Sequence, residues 1–192
     1  MTVVGASGPC IALLEWASIG AGYEATDALV KEASVDVLQS GPITPGKFFV
    51  LFTGPVEEVA SALRRALEVA PDVLLDHLFI PNVEPTLLAL AHGEGTRPRQ
   101  LDAVGIIETL SIASTIRAAD IASKRATLQL LTLRLASGIG GKSFVTFTGA
   151  VDDVSVAVDE GARDAEDAGM LVRKVVIAQP HPAMRAVLGV DA

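Results

Sequence analysis

One cysteine, Cys10, is the only thiol in this 192-residue sequence. An intrachain disulfide and a four-cysteine metal site are both excluded, and a reducing compartment fits. Aromatic residues are sparse too, at 4 %. Ala, Val and Leu take their place, which suits small helices packed closely on a sheet. No apolar run reaches the roughly 18 residues that a membrane span needs. The start, Met1-Thr2-Val3-Val4-Gly5, lacks a basic stretch followed by a long apolar one, so no secretory signal is expected. Pro9 before Cys10 argues against a lipoprotein cleavage site. Lys and Arg form no cluster, and the formal net charge is −8. Neutralising a phosphate backbone needs such clusters, so no nucleic-acid partner is expected. The negative charge serves solubility instead. These absences predict a cytosolic protein that binds neither membrane nor nucleic acid.

Half of the residues are hydrophobic, enough for one large domain or two small ones with a core each. A repeat decides between them. Gly46-Lys47-Phe48-Phe49-Val50-Leu51-Phe52-Thr53-Gly54 returns as Gly141-Lys142-Ser143-Phe144-Val145-Thr146-Phe147-Thr148-Gly149, identical at seven of nine positions. Both copies continue alike, Val56-Glu57-Glu58-Val59 against Val151-Asp152-Asp153-Val154. Such self-similarity is the mark of one module used twice.

Each copy reads as the same series of elements. Ile11–Glu15 and Val104–Glu108 are short apolar runs, read as buried strands. A Ser-Ile pair follows (Ser18-Ile19, Ser111-Ile112). A helical stretch comes next, with Ala21, Ala25, Ala28, Leu29 and Ala33 in one copy and Ile116, Ala119, Ala122 and Ala126 in the other at spacings of three and four. Asp27 stands four residues before Lys31, and Asp120 four before Lys124. Val35–Leu38 and Leu128–Leu135 are second strands. Ser40–Gly46 and Ser137–Gly141, rich in Gly and Pro, are read as turns that break them. The Phe-containing strands end at Gly54 and Gly149. The next helices open with acids, which favours a helix N-terminus. Their apolar faces are Val59, Leu63, Ala66, Leu67 and Ala70, and Val154, Val158, Ala162 and Ala165. Leu74–Ile80 and Leu171–Ile177 are the last strands. The order β-α-β-β-α-β predicts an α+β chain of two tandem ferredoxin-like domains, each an antiparallel sheet covered by helices. The expected division is an extension over 1–10, a domain over 11–91, a linker over 92–101 and a second domain over 102–192.

Three constellations could carry chemistry. Gly138-Ile139-Gly140-Gly141-Lys142-Ser143 ends like a phosphate-binding loop, but Ala136 stands where the motif needs its first Gly, and a strand follows where it needs a helix. A tight β-β connection is the better reading. Glu15 and Glu108 sit at equivalent strand ends. Their symmetry argues for a structural role, since no nucleophile stands near them. His77, His92 and His181 fall in a strand, the linker and a closing loop, without ligand spacing. No catalytic residue and no metal site are predicted.

The ordered series of motifs resembles a known family. Glu-x-x-Ser-Ile, Ala25–Ala33, the Pro45-Gly46-Lys47 turn and Thr-Gly-x-Val-x-x-Val are similar to the bacterial microcompartment shell domain. Ala118-Ala119-Asp120, Lys124, Ala126, Gly138–Lys142 and Gln179-Pro180-His181 repeat the series from about Ile11 to Leu188. Two domains in unpermuted order resemble the tandem shell proteins, those of propanediol-utilising compartments among them. The resemblance implies a structural tile of a microcompartment in the cytoplasm. It implies a pseudohexameric homotrimer with a central pore for metabolites, and other shell proteins and encapsulated enzymes as partners.

It also implies that Thr44, Pro45 and Gly46, with Ser137, Gly138, Ile139 and Gly140, line the pore. Gly and Pro allow a backbone to approach an axis closely, and exposed amides there can contact polar solutes. Lys31 and Lys124 match the family's edge lysine, and Asn82 and Gln179 stand where its usual arginine partner would. Some members hold an iron–sulfur cluster at the pore through a cysteine. These turns carry none, so no cluster and no other cofactor is expected. Two other readings are a soluble trimeric ligand-binding or sensory protein and an enzyme with a site between the repeats. Both require convergent charged or nucleophilic loop residues, and these loops offer mainly Ser, Thr, Gly and Pro.

Overall fold

A computed structural model describes residues 9–190 except 96 and 99. Most of the expected extension and two residues of the expected linker thus lie outside the described residues. The chain divides into two compact units at the Leu88–Ala89 bond. The first contains β1 (Cys10–Trp16), α1 (Ile19–Glu32), β2 (Asp36–Ile43), β3 (Lys47–Gly54), α2 (Val56–Val69) and β4 (Leu74–Ile80). A short helix, α3 (Pro85–Ala91), runs across the division. The second contains β5 (Ala103–Thr109), α4 (Ile112–Arg125), β6 (Gln129–Leu135), β7 (Ser143–Gly149), α5 (Val151–Asp167), β8 (Leu171–Ile177) and the short α6 (Met184–Val187). Each unit is a four-stranded antiparallel sheet, ordered β2-β3-β1-β4 or β6-β7-β5-β8. The predicted α+β class and element order hold; α3 and α6 are additions.

The helix starts follow from the paired Ser-Ile motifs. Ser18 caps α1 by accepting from the Ala21 N–H at 3.3 Å, and Ser111 caps α4 from the Ser114 N–H at 3.1 Å. α2 and α5 have no side-chain cap and instead carry Glu57-Glu58 and Asp152-Asp153 in the first turn. α5 stops where Gly169 turns to φ +67°, with the Met170 N–H bonded back to the Ala165 carbonyl at 2.7 Å.

One expectation fails. Ser40-Gly41-Pro42 does not break the second strand; β2 runs on through it to Ile43. Among the described residues β2 is an edge strand paired with β3 alone, and there a proline can be held without losing a ladder bond. The turn therefore begins at Thr44.

In β1 the residues facing the helices are Cys10, Ala12, Leu14 and Trp16, packed with Phe48, Val50 and Phe52 of β3 and with Ala25, Leu29, Val59 and Ala62. The second unit replaces the Trp16–Phe48 neighbour pair by Thr109 and Ser143 in the same register. A hydroxyl network fills the place: Thr109 donates to the Ser111 carbonyl at 2.7 Å and shares a 2.7 Å hydrogen bond with Thr115.

α4 and α5 approach closely at Gly161, where a Cβ would stand 2.8 Å from the Ala118 carbonyl oxygen and 3.1 Å from the Ala122 methyl. The equivalent residue of α2 is the buried Ala66, so the demand is particular to the second unit. Gly161→Ala is expected to destabilise the protein by about 1–2 kcal/mol, overpacking outweighing the better helix propensity of alanine. Urea unfolding measures it; a gain in stability would mean that α5 moves aside freely.

Candidate functional site

The turns that join β2 to β3 and β6 to β7 sit at the same end of their sheets. In the first, Thr44, Pro45 and Gly46 are exposed. The Thr44–Pro45 bond is cis, Gly46 has φ +97°, and its N–H bonds to the Ile43 carbonyl at 2.9 Å. A Cβ on Gly46 would meet nothing, so its backbone, not crowding, demands glycine there. The second turn is longer. Ser137, Gly138 and Gly140 are exposed, Ile139 is half-buried, and Ala136, Gly138, Gly140 and Gly141 all take positive φ. Ser143 anchors its start by accepting from the Ala136 N–H at 3.1 Å. The two sets expected at the pore are thus two exposed turns of different length.

Each turn is tied to the central strand by its lysine. Lys47 lies 3.8 Å from the Glu15 carboxylate, which is 2 % exposed. Lys142 bonds Glu108, 30 % exposed, at 3.0 Å. The sequence displayed the glutamates and the Gly-Lys turns as separate repeats; their contact was missed. It follows from strand register: Glu15 lies opposite Phe49 and Glu108 opposite Phe144, two residues from each lysine. The symmetric glutamates therefore serve the turns.

The expected edge residues fall at the other end of each sheet. β1 pairs Trp16 with Phe48 beside the turn and Cys10 with Gly54 at the far end. That is a span of about 20 Å at the usual rise. The end of α1 reaches the Gly54 side, where the Ser34 N–H donates to Glu58 at 3.1 Å. There Lys31 bonds Asp27 at 2.6 Å, and in the second unit Lys124 bonds Asp120 at 2.7 Å, the pairs that the i,i+4 spacing predicts. Asn82 and Gln179 are exposed just past β4 and β8. The Val83 N–H fastens the first of these loops to the Pro9 carbonyl at 2.8 Å.

Cys10 lies at this far end, away from the Thr44–Gly46 turn, and is fully buried. Burial pushes its thiol from 9.0 up to about 11, which keeps it protonated and inert at neutral pH. Of the histidines, His181 has a local role: its Nδ1 accepts from the Ala183 N–H at 3.2 Å. An apolar stripe on α1 also went unread. Ile19, Tyr23 and Val30 are exposed at 38, 60 and 45 %, and the Tyr23 ring leans on Phe48 with centroids 4.8 Å apart. Their spacing was visible in the sequence, but the alanine face of the same helix drew the reading.

The two lysine struts differ in burial, so their removal should differ in cost. Lys47→Ala removes a cation 3.8 Å from the buried Glu15 carboxylate and is expected to cost about 2 kcal/mol. Lys142→Ala, beside a half-exposed acid, is expected to cost less than about 1 kcal/mol. Chemical denaturation of both variants checks this; equal costs would remove Glu15 as the anchor of the shorter turn.

Residues 10–83 and 103–180 each match the family described as the BMC domain. The chain is 40 % identical to the bacterial microcompartment shell protein PduT of Citrobacter freundii over 174 residues, 91 % of this chain and 94 % of that one. It is 43 % identical to a microcompartment protein of known structure from Desulfitobacterium hafniense DCB, with a TM-score of 0.87 covering 94 % and 99 % of the two chains. A fused permuted hexameric shell protein of the RMM microcompartment shares the fold, at 19 % identity and a TM-score of 0.60 over 87 % and 88 % of the chains. The chain belongs to the BMC domain family: it is a bacterial microcompartment shell protein that carries two such domains in tandem.

Proposed function

We propose that this shell protein, at work in the microcompartments of the cytoplasm, closes into a homotrimer whose six domains form a pseudohexameric tile. The carrying observation is the open apolar face of α1, where Ile19, Tyr23 and Val30 are all exposed. Such a face on a domain that belongs to a family of shell tiles is a seat for the next copy, in a heterologous contact that closes after three chains.

In this tile the exposed turns, Thr44–Gly46 and Ser137–Gly140, face the axis and form a pore for small solutes. Three turns of each kind alternate around it. The opposite sheet ends, with Lys31, Lys124, Asn82 and Gln179, form the rim that meets other tiles and other shell proteins; encapsulated enzymes lie behind them. The turns carry Thr44 and glycine where a cluster would need thiolate, and Cys10 lies at the other end of its sheet. That supports a pore without an iron–sulfur cluster or other cofactor. The tile has no enzymatic activity of its own. In support, the relatives are shell proteins, and the paired glutamates are occupied by the turn lysines. Kinship over nearly the whole chain favours this role over a soluble ligand-binding or sensory protein.

Light scattering coupled to size exclusion should return the mass of three chains. Ile19→Asp with Val30→Asp, which spares the Tyr23–Phe48 contact, should shift the equilibrium toward monomer by at least roughly tenfold, since it places charge at the centre of an apolar contact. A wild-type monomer at micromolar concentration would count heavily against the trimer. Lys31→Ala with Lys124→Ala should leave trimers intact and weaken their lateral assembly into sheets; unchanged sheets, seen by electron microscopy, would reject the rim assignment.

A further inference from the structure

The two repeats carry the same groove in the same place. One of about 330 Å³, between α1 and α2, is lined by Glu24, Asp27, Lys31, Glu32 and Arg65. One of about 400 Å³, between α4 and α5, is lined by Lys124, Arg125, Glu160, Arg163 and Asp164. Each contains a rim lysine bonded to an acid of its own helix, so the lysines do not distinguish the grooves. Four other charged positions on the same helices are inverted. Glu32 stands where the second repeat has Arg125, and Glu24 where it has Arg117. The i,i+3 bridge Arg65–Glu68 returns as Glu160–Arg163 with its signs exchanged. The first groove has three acids and two bases; the second has three bases and two acids.

The fold does not force this inversion. Beneath the grooves the packing is shared: Val59, Ala62, Leu63 and Ala66 of α2 are buried as are Val154, Ala157, Val158 and Gly161 of α5. Glu24, Glu32, Arg117 and Arg125 are all exposed, where either sign would be tolerated. A charge reversal at exposed, equivalent positions of a duplicated module carries information only for something that touches both.

We propose that the grooves are the unlike halves of one lateral contact, in which the α1–α2 groove of one copy meets the α4–α5 groove of another. This rests on the tile reading given above. Like edges would set Glu32 against Glu32 or Arg125 against Arg125; unlike edges set Glu32 against Arg125. Exposed charges of this kind add little affinity but strongly suppress wrong partners and fix registry. The occupant is a second copy of this chain, because the two grooves complement each other in sign.

The test uses the full chain and four forms of it: wild type, Glu32→Arg, Arg125→Glu and the double exchange. Sheet formation is followed by light scattering and electron microscopy, with trimer mass and thermal unfolding as controls for folding. Each single change is expected to raise the protein concentration needed for sheets by roughly tenfold, and the double exchange to return it near the wild-type value. An equal mixture of the two single variants should assemble better than either alone. Salt of about 0.5 M should shrink all these differences. Singles that assemble like wild type, a double exchange worse than both, or sheets that form only with a different shell protein would each overturn the pairing. Wild type that forms no sheets, alone or with other shell proteins, would sink the tile reading first and the pairing with it.

Discussion

In the first repeat Phe48 is pressed against Gly22, and the close approach of α1 to its sheet depends on it: a Cβ at Gly22 would lie 2.3 Å from the ring. In the second repeat a glycine seats a phenylalanine within the sheet, where a Cβ at Gly105 would lie 2.2 Å from its cross-strand partner Phe147. The ring occupies the volume that the missing side chain leaves. Of the six phenylalanines in the chain, Phe48 and Phe147 are among the largest fully buried side chains, beside Trp16 and Phe52. Burying a ring of this size contributes about 1.5–3 kcal/mol. α1 then lies low enough for Ala25 to complete the contact in the first core. The scarcity of aromatics and the abundance of alanine are two sides of one packing solution.

The repeats solve the end of the sheet nearest the turns differently. The first uses Trp16, Phe48 and Gly22: two large rings and one absent side chain. The second has Thr109, Ser143 and Thr115 at the same places, and satisfies their hydroxyls among themselves and with the backbone. Apolar bulk has been exchanged for hydrogen bonds in a buried site, which is tolerated only because every partner changed together. The freed Ser143 hydroxyl then anchors the longer turn. The difference in the core and the difference in the turn thus meet at Ser143.

Much of this was legible in the sequence, and the illegible parts share a cause. The last strands, Leu74–Ile80 and Leu171–Ile177, have the predicted bounds because apolar runs between turn signals fix them locally. The Asp27–Lys31 and Asp120–Lys124 pairs are likewise local, set by helical spacing alone. Misread features depend on neighbours that a linear reading cannot see. Pro42 continues a strand because β2 is an edge, and edge position is a property of the sheet. Glu15 meets Lys47 because two strands pair in a given register. The inverse charges of Glu32 and Arg125 were in plain view, but gained meaning only once both were known to line equivalent grooves.

The sheet's length has a further consequence. Its turn end and its lysine end are separated by paired strands about 20 Å long, with α1 running alongside them in the first unit. A substitution at one end has little leverage on the other. In the proposed tile, solute selection at the turns and lattice formation at the rim can therefore be altered separately by selection or by an engineer, and the duplicated arrangement gives two independent dials at each end instead of one.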